Sequence, residues 1–400
     1  MQRPSVDVVV VGGGSGGTLS ANLLAKQLAD EIRAGQVKVH LVSGSRQHVF
    51  QPGYLHVAFA GQDPAEIIRE ERSLVAQNVH LVEEPAEMLD LKGQVVTLAS
   101  GQNLRYDYLI IATGSVPNPK AIPGLSEAAL NFHTSPEESK RIWDTIQRFD
   151  GGHVIVGIAG VPHKCPPSPN EAAFLIDDYF RKRGVRDKVK LTFLTPYPRS
   201  YPAEPMSRVV EPLFNKRGIE VVTFFNVESA DPTKKEIYSL EGESQSYDLL
   251  ILVPPHRGAD VIVNSRIGDA DGWIPADKNT MRIAGQENAY AIGDATNIPV
   301  SKTGVTAHLE AITAANNITS AIRQRRALYK YNGRINCPFE MGSGRASFVI
   351  GSYDMPVKEI RPSRIRYLMK KGFARFYWRT LSGSLDWLFS LYFGKTQTVE

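Results

Sequence analysis

The apolar positions of the chain fall into short continuous runs separated by stretches of helical spacing. Residues 6–11, VDVVVV, are β-branched and almost unbroken, the pattern of a strand buried on both faces of a parallel sheet. GGGSGG follows, then LSANLLAKQLADEIR with helical periodicity. VKVHLV (37–42), VHLVE (79–83), VVTLA (95–99) and YDYLIIATGS (106–115) read as further strands. The pattern restarts near residue 151 with HVIVGIAG. It continues through a helix EAAFLIDDYFRKRG, strand KLTFLT (190–195), helix SRVVEPLFNKRG, strand EVVTFF (220–225) and YDLLILVPP (247–255). AYAIGD (289–294) and a long helix over about 304–326 come next. Strands alternating with helices predict an α/β fold with parallel sheets, as two tandem Rossmann-like domains, one inserted in the other. The expected boundaries are 1–115 and 281–325 for the first domain and 116–280 for the second. Residues 326–400 form a C-terminal module, strand-like in ASFVIGSYD and then helical and aromatic.

Composition narrows the function. The net charge of +4 over 400 residues is not the footprint of a nucleic-acid binder. The basic excess is local: Lys358, Arg361, Arg364, Arg366, Lys370, Lys371, Arg375 and Arg379 face one acid, Glu359. A basic run beside aromatic residues fits a membrane surface. The two cysteines, Cys165 and Cys337, are too few for a disulfide-stapled scaffold or a thiolate metal site, so no metal is expected. No apolar run reaches the ~18 residues of a spanning helix. The N-terminus runs directly into a strand, so no cleavable signal is expected.

Gly12, Gly14 and Gly17 form G-x-G-x-x-G between a strand and a helix, the context in which a backbone without side chains meets a pyrophosphate. Thr113-Gly114 and Gly293-Asp294 end two further strands with small-residue turns. Together the three segments resemble the two-dinucleotide-binding-domain flavoproteins over about the first 325 residues. The resemblance implies FAD, with Asp294 at the ribityl and phosphate region. Ser43 stands where an acid usually binds the adenosine ribose. Arg46 suits either the pyrophosphate or a solvated surface, and Ala86 completes the nucleotide-binding set.

Where such proteins place a second glycine turn for a nicotinamide nucleotide, this chain has GVPHKCPPSPNE (160–171). Proline lacks an N–H and fixes φ, so this turn cannot cradle a pyrophosphate with amides. K-C-P-P-x-P-x-E, the second cysteine in Y-N-G-R-I-N-C-P-F, and Lys302-Thr303-Gly304 resemble sulfide:quinone oxidoreductase and the flavoprotein subunit of flavocytochrome c sulfide dehydrogenase, across nearly the whole chain. The resemblance implies a Cys165–Cys337 redox pair that accepts sulfide and passes two electrons through FAD to a membrane quinone. Lys164 beside Cys165 favours a thiolate. The alternative reading of the cysteines is inert core filling. A third cysteine, frequent in the quinone reductases, is absent from ALNFHTSPEES, which carries His133. SGSRQHVFQPGYLHV lacks the cysteine that ties flavin covalently in the cytochrome-linked relative, so the FAD is expected to be non-covalent.

Glu171 suits a proton shuttle or a helix-start acid, and His308 a relay to quinone or a packed ring. Lys302 and the helix starting at Gly304 favour negative charge on reduced flavin or quinone, and Phe339 is a candidate for stacking on the quinone. Leu381, Leu385, Leu388, Phe389, Tyr392 and Phe393 have helical spacing, near Trp378 and Trp387. This reads as an interfacial membrane anchor or as a helix packed on the core or on a second subunit of a homo-oligomer. Three competing functions are a sulfide dehydrogenase subunit donating to a cytochrome, a type II NADH:quinone oxidoreductase, and a flavin-bearing protein without turnover.

Overall fold

The computed structural model describes residues 5–384 and 397–399. The elements that position the site are, in chain order, β1 (Val6–Val11), α1 (Ser15–Gln27), β2 (Val37–Val42), β3 (His80–Val82), β4 (Tyr108–Ile111), β5 (Gly152–Ile158), α2 (Ser168–Arg183), β6 (Val189–Leu194), β7 (Ile219–Val222), β8 (Leu249–Val253), β9 (Ala289–Ala291), α3 (Gly304–Ile322), β10 (Ile335–Glu340), β11 (Ala346–Gly351) and α4 (Arg364–Thr380).

One parallel sheet has the order β9-β4-β1-β2-β3. Val8, Val9 and Val10 are fully buried, so both faces of β1 are covered, which is what the unbroken apolar run requires. Backbone bonds hold the carboxyl ends of the strands level: Gly12 N donates to Val42 O (2.8 Å), Ala112 N to Val11 O (2.8 Å) and Ile292 N to Ile111 O (3.0 Å). Open α/β sheets bind ligands at that ledge. Helices α1 and α3 lie side by side, and a Cβ on Gly304 would stand 4.0 Å from Ser15 Oγ, so their N-termini converge.

The second parallel sheet, β7-β6-β5-β8, falls in sequence between β4 and β9. One hydrophobic core joins β5, β6 and α2 to Cys337, Phe339 and Val349 of the β10–β11 hairpin. The hairpin therefore rests on the helix that follows the proline-rich loop, and α4 packs on the hairpin.

Several element ends differ from the sequence reading. Helix α2 begins at Ser168, three residues before Glu171, because Pro169 falls in the first turn, where its missing N–H is one of the donors left over anyway. Helix α3 stops at Ile322. Helices Tyr54–Ala60 and Pro136–Arg148 were not anticipated. The second starts where Ser135 Oγ accepts from Glu138 N (3.2 Å), the serine half of a capping box written in the S-P-E-E of the chain. Of the expected apolar stripe near the C-terminus only Leu381 lies within the described residues. It is fully buried with Phe50, Tyr54, Ile67 and Tyr377, and so faces the core. Residues 385–393 and Trp387 lie outside the described residues.

Candidate active site

A cavity of about 560 Å³ opens at the ledge and is lined from both sheets, from the hairpin and from α4. The glycines divide by role. A Cβ on Gly12 (φ +113°) would collide with the Ala112 carbonyl, and one on Gly17 with the Gly12 carbonyl, so these two let α1 close on the sheet. Gly14 and Gly114 face open space in the cavity wall. The Thr113 hydroxyl oxygen, buried in the same wall, has no hydrogen-bond partner among the described residues. Open backbone, an unpartnered hydroxyl and two converging helix N-termini fit a dinucleotide with its diphosphate at the helix starts.

Ser43 lines the cavity, but its Oγ donates to Ser45 O (2.7 Å), turned toward its own loop. Ala86, Gly293 and Gly304 also line it. Gly17, Arg46 and Phe339 do not line the cavity. Gly17 serves packing. Arg46 is exposed and pairs with Glu83. Phe339 follows Cys337 by two residues on β10, and the same strand face carries it on into the core against Tyr201.

Gly293 N donates to Glu310 Oε2 (2.6 Å), a carboxyl that burial pushes up to about 8. Burial also raises the Asp294 carboxyl, against the pull of Lys164 and Lys302. Lys302 donates to the carbonyls of Thr296 and Asp294 and lies 4.3 Å from the Trp273 ring centroid. Burial lowers its pKa, with Asp294 opposing. Burial holds His308, in the cavity wall, at about 3, so its ring is neutral at physiological pH.

The two cysteines meet in this cavity. Cys165 sits in the left-handed region (φ +51°), with its N donating to Lys302 O (2.7 Å). Cys337 lies mid-strand in β10. The hydrogen-bonded Cys165 side chain, burial and nearby Glu171 together push the Cys337 thiol well up. Lys164 is buried beside Cys165 and donates from Nζ to Gln51 Oε1 (2.9 Å). Burial lowers its pKa, while Asp294 and Cys165 raise it. His133, in the segment without a cysteine, lines the cavity with its Nε2 2.8 Å from Ser168 Oγ.

The loop after β5 is poor in free amide donors. Ser168 N is already bonded to Cys165 O (2.9 Å) and Glu171 N to Pro167 O (3.0 Å), while Pro166, Pro167 and Pro169 have no N–H.

Behind the sulfur atoms lies an ionic cluster that the sequence did not reveal. Glu171 Oε1 accepts from Lys370 Nζ (2.6 Å) and from Glu340 N (2.6 Å). Lys370 Nζ also donates to Glu340 Oε2 (3.0 Å), which lies 3.1 Å from His56 Nε2. Burial would raise Glu340, but Lys370 and His56 hold it at about 2. Burial would lower Lys370, but the two carboxylates raise it above its usual value. Lys370, read from the sequence as a surface cation, is instead mostly buried. His56 and Lys370 also line a second cavity of about 770 Å³ with Trp143, Tyr179 and Trp378.

Residues 6–318 match the family model described as pyridine nucleotide-disulphide oxidoreductase. The chain belongs to that family. It is 26% identical to the mitochondrial sulfide:quinone oxidoreductase of Mus musculus, over 94% of this chain and 86% of that protein. It is likewise 26% identical to the sulfide-quinone reductase of Aquifex aeolicus, over 94% of this chain and 92% of the relative. The solved sulfide:quinone oxidoreductase from Aquifex aeolicus superposes with a TM-score of 0.87 at 24% identity, covering 99% of this chain and 97% of that one.

Proposed function

We propose that the protein is an FAD-dependent sulfide:quinone oxidoreductase working through Cys165 and Cys337. The observation that carries the reading is that residues far apart in sequence, Cys165 and Cys337, meet in the cavity that the glycine turns open. In the oxidised enzyme the two sulfurs form a disulfide. Hydrosulfide attacks Cys337 Sγ, the disulfide bond breaks, and a new S–S bond leaves Cys337 as a persulfide. Cys165 leaves as a thiolate beside Lys164, which offsets its charge. Non-covalently bound FAD supplies the two-electron acceptor that hands reducing equivalents on to quinone. Gly14, Thr113, Gly114, Gly293, Asp294 and Gly304 hold it, with Lys302 and the α3 N-terminus favouring negative charge. Lys370 holds the Glu171 carboxylate in place beside the sulfurs, and Glu340 and His56 anchor Lys370 in turn.

Sulfide is expected to bleach the flavin absorbance near ~450 nm and added quinone to restore it, since the redox pair lies at the flavin cavity. NADH is expected to leave the spectrum unchanged, because the proline-rich loop after β5 is poor in free amide donors. Rapid bleaching by NADH but not by sulfide would sink this reading in favour of a type II NADH dehydrogenase.

The acceptor reading rests on α4. Its Lys370, Phe373, Ala374 and Tyr377 line the first cavity. Its opposite side exposes Ile365 (72%), Leu368 (65%), Met369 (41%) and Phe376 (48%) among Arg364, Arg366, Lys371, Arg375 and Arg379. An apolar stripe edged with arginine and lysine suits an anionic bilayer surface, from which a quinone reaches the cavity. No helix among the described residues is long and apolar enough to cross a membrane. Ile365→Glu with Leu368→Glu is expected to weaken binding to anionic lipid vesicles at least ~10-fold in a sedimentation assay. Unchanged sedimentation would remove α4 as the docking face.

A further inference from the structure

Four side chains from separate segments form a buried chain that ends on the glycine turn. The Glu71 and His48 side chains are 0% and 1% exposed, with Glu71 Oε2 2.9 Å from His48 Nδ1. The other Glu71 oxygen accepts from Thr18 Oγ1 (2.6 Å). His48 Nε2 lies 2.7 Å from the Tyr377 hydroxyl, which lies 2.7 Å from Ser15 Oγ. Ser15 is the first residue of α1 and lines the cavity where α1 and α3 converge. Neither helix carries an acid in its first turn.

Hydrogen counting fixes the direction of this chain. A carboxylate only accepts, a neutral imidazole has one N–H, and each hydroxyl has one proton to donate. With the Glu71–His48 pair at net charge −1, Nδ1–H faces Glu71 and Nε2 accepts from Tyr377. The Tyr377 oxygen then accepts from Ser15, whose one proton points away from the cavity. One more proton on the pair, on carboxyl or ring, puts a hydrogen on Nε2. Nε2–H then donates to Tyr377 and Tyr377 donates to Ser15, so the Ser15 hydroxyl is released toward the cavity. Arg69 sits across the two-strand ladder from His48, with its guanidinium 4.9 Å from the Trp378 ring centroid.

We infer that Glu71 and His48 are positioning residues for the cofactor's diphosphate: an anion at the converging helix N-termini draws one proton onto the pair, and Ser15 donates to the anion only in that state. Because Tyr377 belongs to α4, that helix is part of the switch. The inference rests on the flavin reading for the identity of the anion.

The test is titration calorimetry of the full-length apoprotein with FAD, at matched pH in two buffers of different ionisation enthalpy. Uptake approaching one proton per FAD is expected where the pair is deprotonated in the apoprotein. The bound form holds the extra proton, so raising the pH opposes binding, and Kd rises by up to ~10-fold per pH unit. Tyr377→Phe keeps the ring packed 4.5 Å from that of Phe50 but uncouples Ser15 from the pair, so proton uptake and this pH dependence disappear. Ser15→Ala also loses the uptake and binds FAD roughly 10-fold more weakly on the acid side, the size of a lost bond to a charged group; it serves as the test if Tyr377→Phe fails to fold. FAD binding by the native chain without proton uptake, or uptake undiminished in the variants, overturns the inference. No FAD binding at all overturns the flavin reading instead.

Discussion

Alanine at either Cys165 or Cys337 is expected to lower sulfide-driven flavin reduction by on the order of 10³-fold or more, while FAD stays bound. The effect is large because the sulfurs act as a unit: neither alone forms the disulfide that hydrosulfide opens. FAD is expected to be retained because the cradle proposed for it is built from the turns after β1, β4 and β9 and from the start of α3, none of which contains a cysteine. Stopped-flow absorbance and a bound-flavin ratio check both halves. A thiol count on the oxidised, denatured protein should find no reactive cysteine before reduction and two after it. Retained turnover in either variant removes the cysteine mechanism.

The second large effect concerns stability. Lys370 is the shared partner of Glu171 and Glu340, whose side chains are almost wholly buried. Lys370→Met should cost about 3–5 kcal/mol, because it leaves two carboxylates out of water without their cation. Adding Glu171→Gln and Glu340→Gln should recover most of that loss. Chemical denaturation of the single and triple variants measures it, and a single-variant loss below ~1 kcal/mol would remove the claim. The cluster also predicts an acid limb. Glu340 is held at about 2 against 4.5 ordinarily, so its stabilisation is present above pH ~4.5 and is lost as the pH falls toward 2.

The flavin half of the site was legible because its rules are local. A strand, a side-chain-free turn and a helix start lie within a dozen residues, and each glycine answers to a close approach made nearby in sequence. The proline-filled turn was legible for the same reason, since a missing N–H is a property of the residue. Most of the apolar stripe read at 381–393 lies outside the described residues. Of that stripe Leu381 packs into the core, and a second apolar stripe, not read from the sequence, is exposed among the basic residues of α4. Spacing reports that a face exists and does not say whether a neighbour covers it. Phe339 shares the strand face of Cys337, but that face runs on from the cavity into the core, where Phe339 packs against Tyr201.

The chain's own order of residues determined two nucleotide-type folds, a glycine turn between strand and helix, a proline-rich turn in place of a second one, and two cysteines in distinctive settings. Only the tertiary structure decided that Cys165 and Cys337 meet, that Lys370 turns inward to Glu171 and Glu340, and that Glu71, His48, Tyr377 and Ser15 form one line. Backbone conformation and missing donors depend on a residue and its near neighbours. A buried charge or thiol instead acquires its chemistry from partners a hundred or more residues away, brought together when the hairpin and α4 close over α2.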